Sequence, residues 1–508
     1  MSLRITPARR RFPLAAAAIT LALGASALTA CAPGSDSEGT GTADTLVVGS
    51  TISLQQVDPF QMQYKTVQNN VFDPLVRIVG GEEPEARLAE SWEQTDDLTW
   101  DFKLRQGVTF HDGTELTADD VVFSFDYPRE NTTLVASLIL NLDKVTKVDE
   151  ETVRITTKTP DPLLLNSIAY ISIVPEATYT ELGPEGFAEA PIGTGPYTLV
   201  DTDSSTFANM KAYDGFWGEK AKTENIELRF FSDPNSLASA LESGQVEVGH
   251  EMVPTALKVL EGNSDFEVSS GYSGNQNMLT FNSTKGAFAD EKVREAANHA
   301  IDADALVEAL TYGAGLLEDG QLAIEGINGY TEEITRPEFD QAKAKALLAE
   351  AGAEGAKITI AGASLYKPLL EAIGAQLSEV GFKPTIQALE ISVWLEQLRE
   401  GSDSDIFYKG VSDMGFFDIE RPFSQLARGT NAMVKDPKWD ELYTAQRTEL
   451  DPAKRMEAIQ EASEYVADQD YVLWTYGRPS VNATTTDVEG LDFSTGLMLL
   501  FDDAVKND

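Results

Sequence analysis

The chain has 508 residues, more than one ordinary hydrophobic core accommodates, so two or three domains are expected. Its 82 acidic and 39 basic residues give a net charge of −43, and so acidic a surface repels nucleic-acid phosphates. The single cysteine excludes a disulfide within one chain, and 42% hydrophobic residues are typical of a soluble globular body.

The first 44 residues differ in composition from the rest. Residues 1–30 combine four arginines with the apolar run Leu14–Leu28, which is short for a permanent membrane span and predicts a signal peptide. The run ends in the sequence LTAC at Cys31, which resembles a bacterial lipobox with Cys31 as the acylated residue. Residues 31–44, rich in Gly, Ser and Thr, predict a flexible tether. Cleavage before Cys31 would bring the net charge to −47.

The alternative is a simple secretory peptide with an incidental cysteine. Arg9, Arg10 and Arg11 hint at twin-arginine export, so both this route and the general route stay open. No later stretch is apolar over a spanning length. The body is therefore expected outside the cytoplasmic membrane, on its outer face, held there by lipid.

Two alternating segments and a helix start follow one another between residues 99 and 126. Trp100–Leu104 alternates apolar and polar residues, as in a half-buried strand. Val108–Phe110 predicts a second strand, which a His-Asp-Gly turn ends. Thr117 can then cap a helix through Asp120.

Elsewhere, short strands alternate with helices, a spacing typical of α/β lobes. The predicted strands are Thr45–Ser50, the hairpin Val145–Thr157, Ile226–Phe231, Gln245–Val248, Met278–Phe281, Lys357–Ile360, Lys383–Gln387 and Tyr471–Tyr476. The predicted helices are Val67–Leu75, Ser236–Leu241, Glu291–Ala300, Ala303–Leu310, Asp340–Ala351, Leu369–Val380, Glu441–Glu449 and Pro452–Ala467. In one of these helices Ala342, Ala346 and Ala349 share a face, and Gly352 follows as its C-cap.

Four stretches, in this order, resemble family 5 of the solute-binding proteins of ABC importers, the peptide- and nickel-binding group. They are Leu88–Asp126 (LAESW…FHDG…LTADDVVFSFD), Pro191–Val200, Asp290–Leu310 and Phe339–Gly352. The resemblance covers roughly residues 45–490. It implies an α/β fold, two-lobed and periplasmic-binding-protein-like (type II), with an additional mainly β domain as in the peptide-binding type.

On this basis we expect three parts after the signal peptide and tether. The first α/β lobe would combine residues 45–71, 185–275 and 480–508. The extra domain would span residues 72–184, and the second α/β lobe residues 276–479. Crossing strands would join the lobes, which would close around a solute by hinge motion.

Catalytic and metal-binding patterns are missing from the sequence. His111, His250 and His299 lie far apart, and no HExxH, CxxC or GxSxG motif is present. Ser364–Lys367 matches S-x-x-K but lacks a K-T-G partner, and Gly193–Gly195 lacks the Lys-Ser/Thr of a phosphate loop. The sequence therefore predicts no enzyme activity, no metal site and no cofactor.

The resemblance places several residues at the ligand cleft. In the family, the loop after the first strand lines the cleft, which assigns Gln63 and Tyr64 to it. Trp394 matches an aromatic cleft position of peptide-binding relatives. The alternative for each is an ordinary loop or core role.

The segment Ile406–Asp418 (IFYKGVSDMGFFD) resembles a G-W-…-D-…-D-P run of peptide binders, whose aspartate pairs with the α-ammonium of the peptide. Here Gly410 is followed by Val411 instead of tryptophan, Asp413 arrives one residue early, and no proline follows Asp418. Asp413 is the candidate ammonium anchor, although these departures put ordinary peptide recognition in doubt. A loop aspartate that caps a turn is the alternative.

The resemblance implies a lipid-anchored, monomeric protein that captures a small solute by lobe closure and delivers it to an ABC permease and its ATPase. An oligopeptide or dipeptide is the first expectation; a nickel chelate, an oligosaccharide or an opine-like solute stays open. A lipid-anchored sensor or adhesion protein on the same fold is the second hypothesis. No nucleic-acid partner is expected.

Overall fold

The computed structural model describes residues 45–54, 56–61, 65–79, 83–131, 133–412, 416–426, 432–493 and 498–507. All of these belong to one compact unit, Gly41–Asp508. The predicted signal peptide and tether, residues 1–44, lie outside the described residues.

Strands and helices are numbered here in chain order. The strands are Thr45–Ser50 (β1), Val76–Arg77 (β2), Glu85–Ala86 (β3), Ala89–Asp96 (β4), Thr99–Leu104 (β5), Leu142–Lys147 (β6), Thr152–Thr157 (β7), Tyr197–Asp203 (β8), Phe207–Ala212 (β9), Asn225–Phe230 (β10), Val248–Met252 (β11), Phe266–Gln276 (β12), Leu279–Phe281 (β13), Leu316–Leu317 (β14), Lys357–Ala363 (β15), Lys383–Leu389 (β16), Ile406–Tyr408 (β17), Val411–Ser412 (β18), Val472–Leu473 (β19), Tyr476–Thr485 (β20), Val488–Glu489 (β21) and Val505–Lys506 (β22). The α-helices are Lys65–Val71 (α1), Ala118–Glu130 (α2), Leu164–Ile168 (α3), Glu176–Glu189 (α4), Pro234–Glu242 (α5), Leu257–Leu260 (α6), Glu291–His299 (α7), Ala303–Thr311 (α8), Gln341–Glu350 (α9), Lys367–Val380 (α10), Ile391–Glu400 (α11), Glu420–Leu426 (α12), Pro437–Thr448 (α13) and Pro452–Asp468 (α14).

The largest sheet has the strand order β18-β12-β20-β11-β1-β10-β9-β8, and β14 also pairs with β20. Its central strand β1 runs parallel to β10 and β11, whereas the pairs on either side are antiparallel. Because Leu46 and Val48 enter one apolar core while Val47 enters another with Leu237 and Leu241 of α5, β1 is buried on both faces. Such two-sided burial is typical of an α/β sheet.

A second sheet has the order β16-β15-β17-β13-β19 and mixes parallel with antiparallel pairs. Helices α7, α8, α9 and α10 bury apolar side chains against it, among them Val293, Leu306, Leu348 and Leu370. The chain enters this sheet between β12 and β13 and returns to the large sheet between β19 and β20. Two adjacent connections therefore join the two α/β layers, and the chain also crosses between the sheets at β14 and from β17 to β18.

A third sheet, β4-β5-β7-β6, is antiparallel throughout. Phe102 of β5 lies opposite Val153 of β7, and both are fully buried in the same core as α2. A capping box begins α2: Thr117 Oγ1 accepts from the backbone N–H of Asp120, and the Asp120 carboxylate accepts from that of Thr117. Such a cap stabilises a helix by about 1 kcal/mol.

Two local predictions are wrong. Val108–Phe110 forms no strand; only an isolated bridge joins Thr109 to Glu115, because the His-Asp-Gly turn folds the chain back at once. The strand predicted at Gln245–Val248 begins later, as β11. In α9 the three alanines share a face as predicted, and this face is exposed, whereas the core receives Ala344 and Leu348.

The glycine-rich segment before β8 is a tight turn, as predicted. A Cβ atom at Gly193 would stand 2.0 Å from the carbonyl oxygen of Val71, and one at Gly195 would stand 2.6 Å from that of Asn70. Only glycine allows this approach to the end of α1. Within the described part of the chain, no helix combines the length and the apolar character needed to traverse a lipid bilayer.

Candidate functional site

Two paired strands connect the two α/β layers. β12 and β20 run antiparallel over most of their length, and Gln276, the last residue of β12, pairs with Gly477 near the start of β20. Both strands belong to the large sheet, and both continue directly into strands of the second sheet. Residues near this double crossing lie where the two lobes meet and are therefore candidates for a solute cleft.

Gly410 and Val411, two predicted site residues, lie at this crossing. Val411 belongs to β18 and pairs with Gln276 of β12, which places it at the end of the large sheet. Gly410 has a φ of +59°, and a Cβ atom there would stand 2.6 Å from the ring of Tyr408. Val411, which stands where the family pattern has tryptophan, is 4% exposed and belongs to the core around Ile419.

Trp394 of α11 contacts the strand that precedes Gly410. It is partly buried, and its indole Nε1 donates a hydrogen bond to the carbonyl oxygen of Tyr408 at 2.8 Å. Its ring contacts Tyr366, with centroids 6.4 Å apart, and it packs against the small core cluster that contains Phe407. This tryptophan therefore holds the strand that leads to Gly410, and the predicted role as a cleft wall stays a prediction.

An aromatic and polar cluster adjoins the crossing. The Tyr408 hydroxyl donates to Asn277 Oδ1 at 3.0 Å, and Asn277 Nδ2 donates to the carbonyl oxygen of Tyr476 at 3.0 Å. The Tyr366 ring lies 4.1 Å from that of Tyr408, and Arg478 Nη1 donates to the Tyr366 hydroxyl at 3.2 Å. Burial raises the pKa of Tyr408, so its hydroxyl stays protonated. No sequence pattern predicts this cluster; Tyr366 stands within the S-x-x-K match at Ser364–Lys367, which carries no functional meaning here.

Glu251 is a partly buried acid near Arg478, in a strained backbone conformation. Its φ is +54°, and it lies where the register between β11 and β20 shifts. Burial raises the pKa of Glu251 to about 7, against the opposing effects of a hydrogen bond from Ser480 and the charge of Arg478. A non-glycine residue in this conformation persists only where its surroundings hold it.

Phe416 is the point at which the segment after β18 contacts the first half of the chain. Its ring stacks on Tyr170 with centroids 5.3 Å apart, and its carbonyl oxygen accepts from Asn166 Nδ2 at 3.1 Å. Phe416 is 5% exposed and belongs to the same core as β1 and β5. The Lys65 ammonium also contacts Tyr170 and lies 4.4 Å from its ring centroid. None of these contacts follows from local sequence pattern.

Ion pairs reinforce the same junction. Asp161 accepts from Arg447 Nη1 at 2.8 Å, and Arg447 Nε lies 3.3 Å from Glu420. Two residues after Phe416, the buried Asp418 receives both Nη atoms of Arg455, at 2.8 and 2.7 Å. Such a two-pronged pair fixes the orientation of the segment that carries it.

The remaining predicted site residues, Gln63, Tyr64, Asp413 and Cys31, lie outside the described residues. His111 bonds to the backbone at Gly195, with Nε2 3.0 Å from its carbonyl oxygen. Over the ranges that the structure describes, no three His, Cys, Asp or Glu side chains are grouped as metal ligands.

The chain matches the family described as "Bacterial extracellular solute-binding proteins, family 5 Middle" over residues 83–433. It is 28% identical over 475 residues to "Di/tripeptide-binding protein 3" of Pseudomonas aeruginosa (strain UCBPP-PA14), covering 84% of this chain and 88% of that protein. It is 30% identical over 357 residues to "Glutathione-binding protein GsiB" of Pectobacterium atrosepticum, covering 68% of this chain and 69% of that protein.

Among solved structures, NikA of Brucella suis in complex with Fe(III)-EDTA has a TM-score of 0.82. The similarity covers 91% of this chain and all of that chain at 22% identity, which bears on the fold alone. The predicted two-lobed, type II α/β fold is thereby confirmed. The family match covers well over half of the chain and therefore shows the family to which the chain belongs. The chain belongs to the family 5 bacterial extracellular solute-binding proteins, and it is an extracytoplasmic, non-enzymatic ABC-transporter component that delivers its solute to a permease.

Proposed function

We propose that the solute is a peptide, either an oligopeptide or a dipeptide, captured between the two lobes. The observation that carries this proposal is the match, over most of the chain, to relatives whose names specify di- or tripeptides and glutathione. A nickel chelate or an opine-like solute would suit the same fold. Within the described residues, no three His, Cys, Asp or Glu side chains are grouped so that they could hold a metal ion.

The geometry around β18 supports an extended ligand. β18 is the last strand in the order of the large sheet, and it directly precedes Asp413. A peptide main chain laid beside Val411 would continue the sheet and gain backbone hydrogen bonds that any sequence can form. The nearby Tyr366 and Tyr170 rings are suited to contact its side chains.

We assign Asp413 the role of partner for the peptide α-ammonium, and Gln63 and Tyr64 a place along the cleft. The assignment of Asp413 is supported by its position in the chain between β18, which pairs with β12, and Phe416, which stacks on Tyr170 of the proposed extra domain. A charge-assisted hydrogen bond in a closed cleft contributes more than a neutral one.

We propose that the protein is a monomer anchored through lipid at Cys31. The first lobe would comprise residues 45–71, 185–275 and 480–508, the extra domain residues 72–184, and the second lobe residues 276–479. The antiparallel third sheet falls within the proposed extra domain, which supports that division. The strands β12 and β20 would then form the hinge.

Native mass spectrometry of the full chain, solubilised in mild detergent, tests the ligand class, followed by thermal shifts against a solute panel. A peptide at ~100 times its dissociation constant should add roughly 2.7 kcal/mol to the free energy of unfolding. Asp413→Asn should weaken the binding of a free peptide and leave its N-acetylated form unaffected. Stabilisation by a nickel–histidine chelate or a sugar, with no response to peptides, would reject the peptide assignment.

A further inference from the structure

Among the described residues, none provides a counter-charge for Lys65, which lies where the first lobe contacts Tyr170 of the proposed extra domain. Its ammonium nitrogen lies 2.8 Å from Gln68 Oε1 and 4.4 Å from the ring centroid of Tyr170. Throughout the described ranges, no carboxylate oxygen comes within ion-pair distance of it. An ammonium has three hydrogen atoms to donate, and these contacts provide one acceptor and one ring face.

The described groups that contact the Lys65 ammonium are uncharged, and one of them, Gln68, is held in place by a further hydrogen bond. Gln68 is 3% exposed, and its Nε2 donates to the Ser172 hydroxyl at 2.8 Å, which turns its Oε1 toward Lys65. Burial lowers the pKa of Lys65 to about 7, and no charge among the described residues opposes that effect. Lys65 is partly buried, and an anionic group brought to its ammonium would form a charge-assisted hydrogen bond.

The position of Lys65 links it to the cleft. The Tyr170 ring beneath its ammonium is the ring that stacks on Phe416, which follows Asp413 by three residues. Lys65 also follows Gln63 and Tyr64 directly in the chain. A positive group at this place stands out in a protein that carries 82 acidic and 39 basic residues.

We propose that Lys65 binds a carboxylate of the solute when the lobes are closed. The inference rests on the proposed function and narrows it: the solute carries an anionic group in addition to any ammonium that Asp413 recognises. For a peptide, the C-terminal carboxylate or an acidic side chain supplies that group. Lys65 therefore sets a preference for anionic over neutral solutes.

Isothermal titration calorimetry on the full-length protein tests this with Ala-Ala-Ala, its C-terminal amide, and succinate as a non-peptide dicarboxylate. The wild type should bind the free tripeptide at least about tenfold more tightly than the amide, because only the acid pairs with Lys65. Lys65→Gln should lose most of that preference, and Lys65→Arg should keep it. Lys258→Gln is the matched control: Lys258 also lies over a tyrosine ring, that of Tyr312 at 4.0 Å, but it is exposed.

The outcomes separate this inference from the proposed function. Equal affinity of the wild type for acid and amide, or an unchanged preference in a folded Lys65→Gln variant, overturns the role of Lys65 and leaves the peptide proposal standing. Binding of succinate through Lys65 with no response to either peptide rejects peptides and supports the role of Lys65. No response to any of the three probes overturns both.

Discussion

The ring of Tyr170 stacks on that of Phe416, with their planes 10° from parallel and their centroids 5.3 Å apart. Tyr170 follows α3, beside the antiparallel third sheet, whereas Phe416 follows β18 at the end of the large sheet. The contact therefore joins two distant parts of the chain next to the candidate cleft. Any motion that separates them must expose Phe416, which is 5% exposed here.

Phe416→Ala should weaken peptide binding about tenfold or more. Removing the ring abolishes the stack and the apolar burial that favour the closed form, and the affinity depends on the population of that form. Calorimetry measures the affinity, and small-angle X-ray scattering measures the radius of gyration with and without ligand. Tyr170→Phe, which retains the stack, is the control. An unchanged affinity would show that this contact does not favour closure.

The pair of Asp161 with Arg447 is expected to contribute to the same closed form. Asp161→Asn and Arg447→Gln should each reduce peptide affinity. The double variant should lose less than the two single losses combined, with a coupling of about 1 kcal/mol. Lys454→Gln, an exposed lysine on the neighbouring α14, should have no effect. Strict additivity of the two losses would mean that the ion pair does not stabilise the bound state.

Glu318 predicts a pH dependence of stability. It is 3% exposed, its carboxylate accepts from the backbone N–H of Thr475 at 2.8 Å, and burial raises its pKa to about 7. A folded-state pKa above the ordinary value of 4.5 means that the folded protein binds this proton more tightly than the unfolded chain does. The contribution of Glu318 to stability is therefore greatest below pH 4.5 and falls as pH rises to about 7.

Glu318→Gln keeps the acceptor oxygen and removes the charge. At pH 8 this variant should be more stable than the wild type by roughly 2–3 kcal/mol, and the difference should vanish near pH 4. Urea unfolding midpoints at the two pH values measure it. A difference of the same size at both pH values would show that the carboxyl does not titrate in this range.

The lipid anchor proposed at Cys31 gives a separate prediction. Cells fed an alkyne fatty acid should label the wild-type chain, and Cys31→Ala should abolish the label and release the protein from the membrane fraction. Ser35→Ala, in the proposed tether, is the control. A labelled Cys31→Ala variant would place the lipid on another residue, and an unlabelled wild type would favour a simple secretory peptide.

Sequence patterns predict the elements of this fold well where one local rule decides the structure. The Thr117 cap, the hairpin near Val145 and the turn at Gly193 follow from caps, alternation and glycine placement. The buried face of α9 does not follow from a local rule, because alanine suits either face of a helix and the neighbouring core selects Leu348.

The contacts of the candidate site were less accessible to sequence reasoning. Lys65 and Glu318 are charged residues, which on average lie at the surface, and only the folded chain surrounds them with Tyr170 and Thr475. Gly410 was assigned to the cleft by resemblance, and its left-handed φ gives that position a physical reason. Asp413 stays a prediction from resemblance.

The pairing of Gln276 with Gly477 offers a place at which the chain can be engineered. The roughly 200 residues between them begin and end at neighbouring points of one two-stranded ribbon, and they include the second sheet as well as β14 and β18, which pair with β20 and β12. Such a segment behaves as an inserted module, whose ends a short linker can bridge. New chain termini, or a fluorescent reporter, placed beside this ribbon would report the bending of the hinge while leaving both cores continuous.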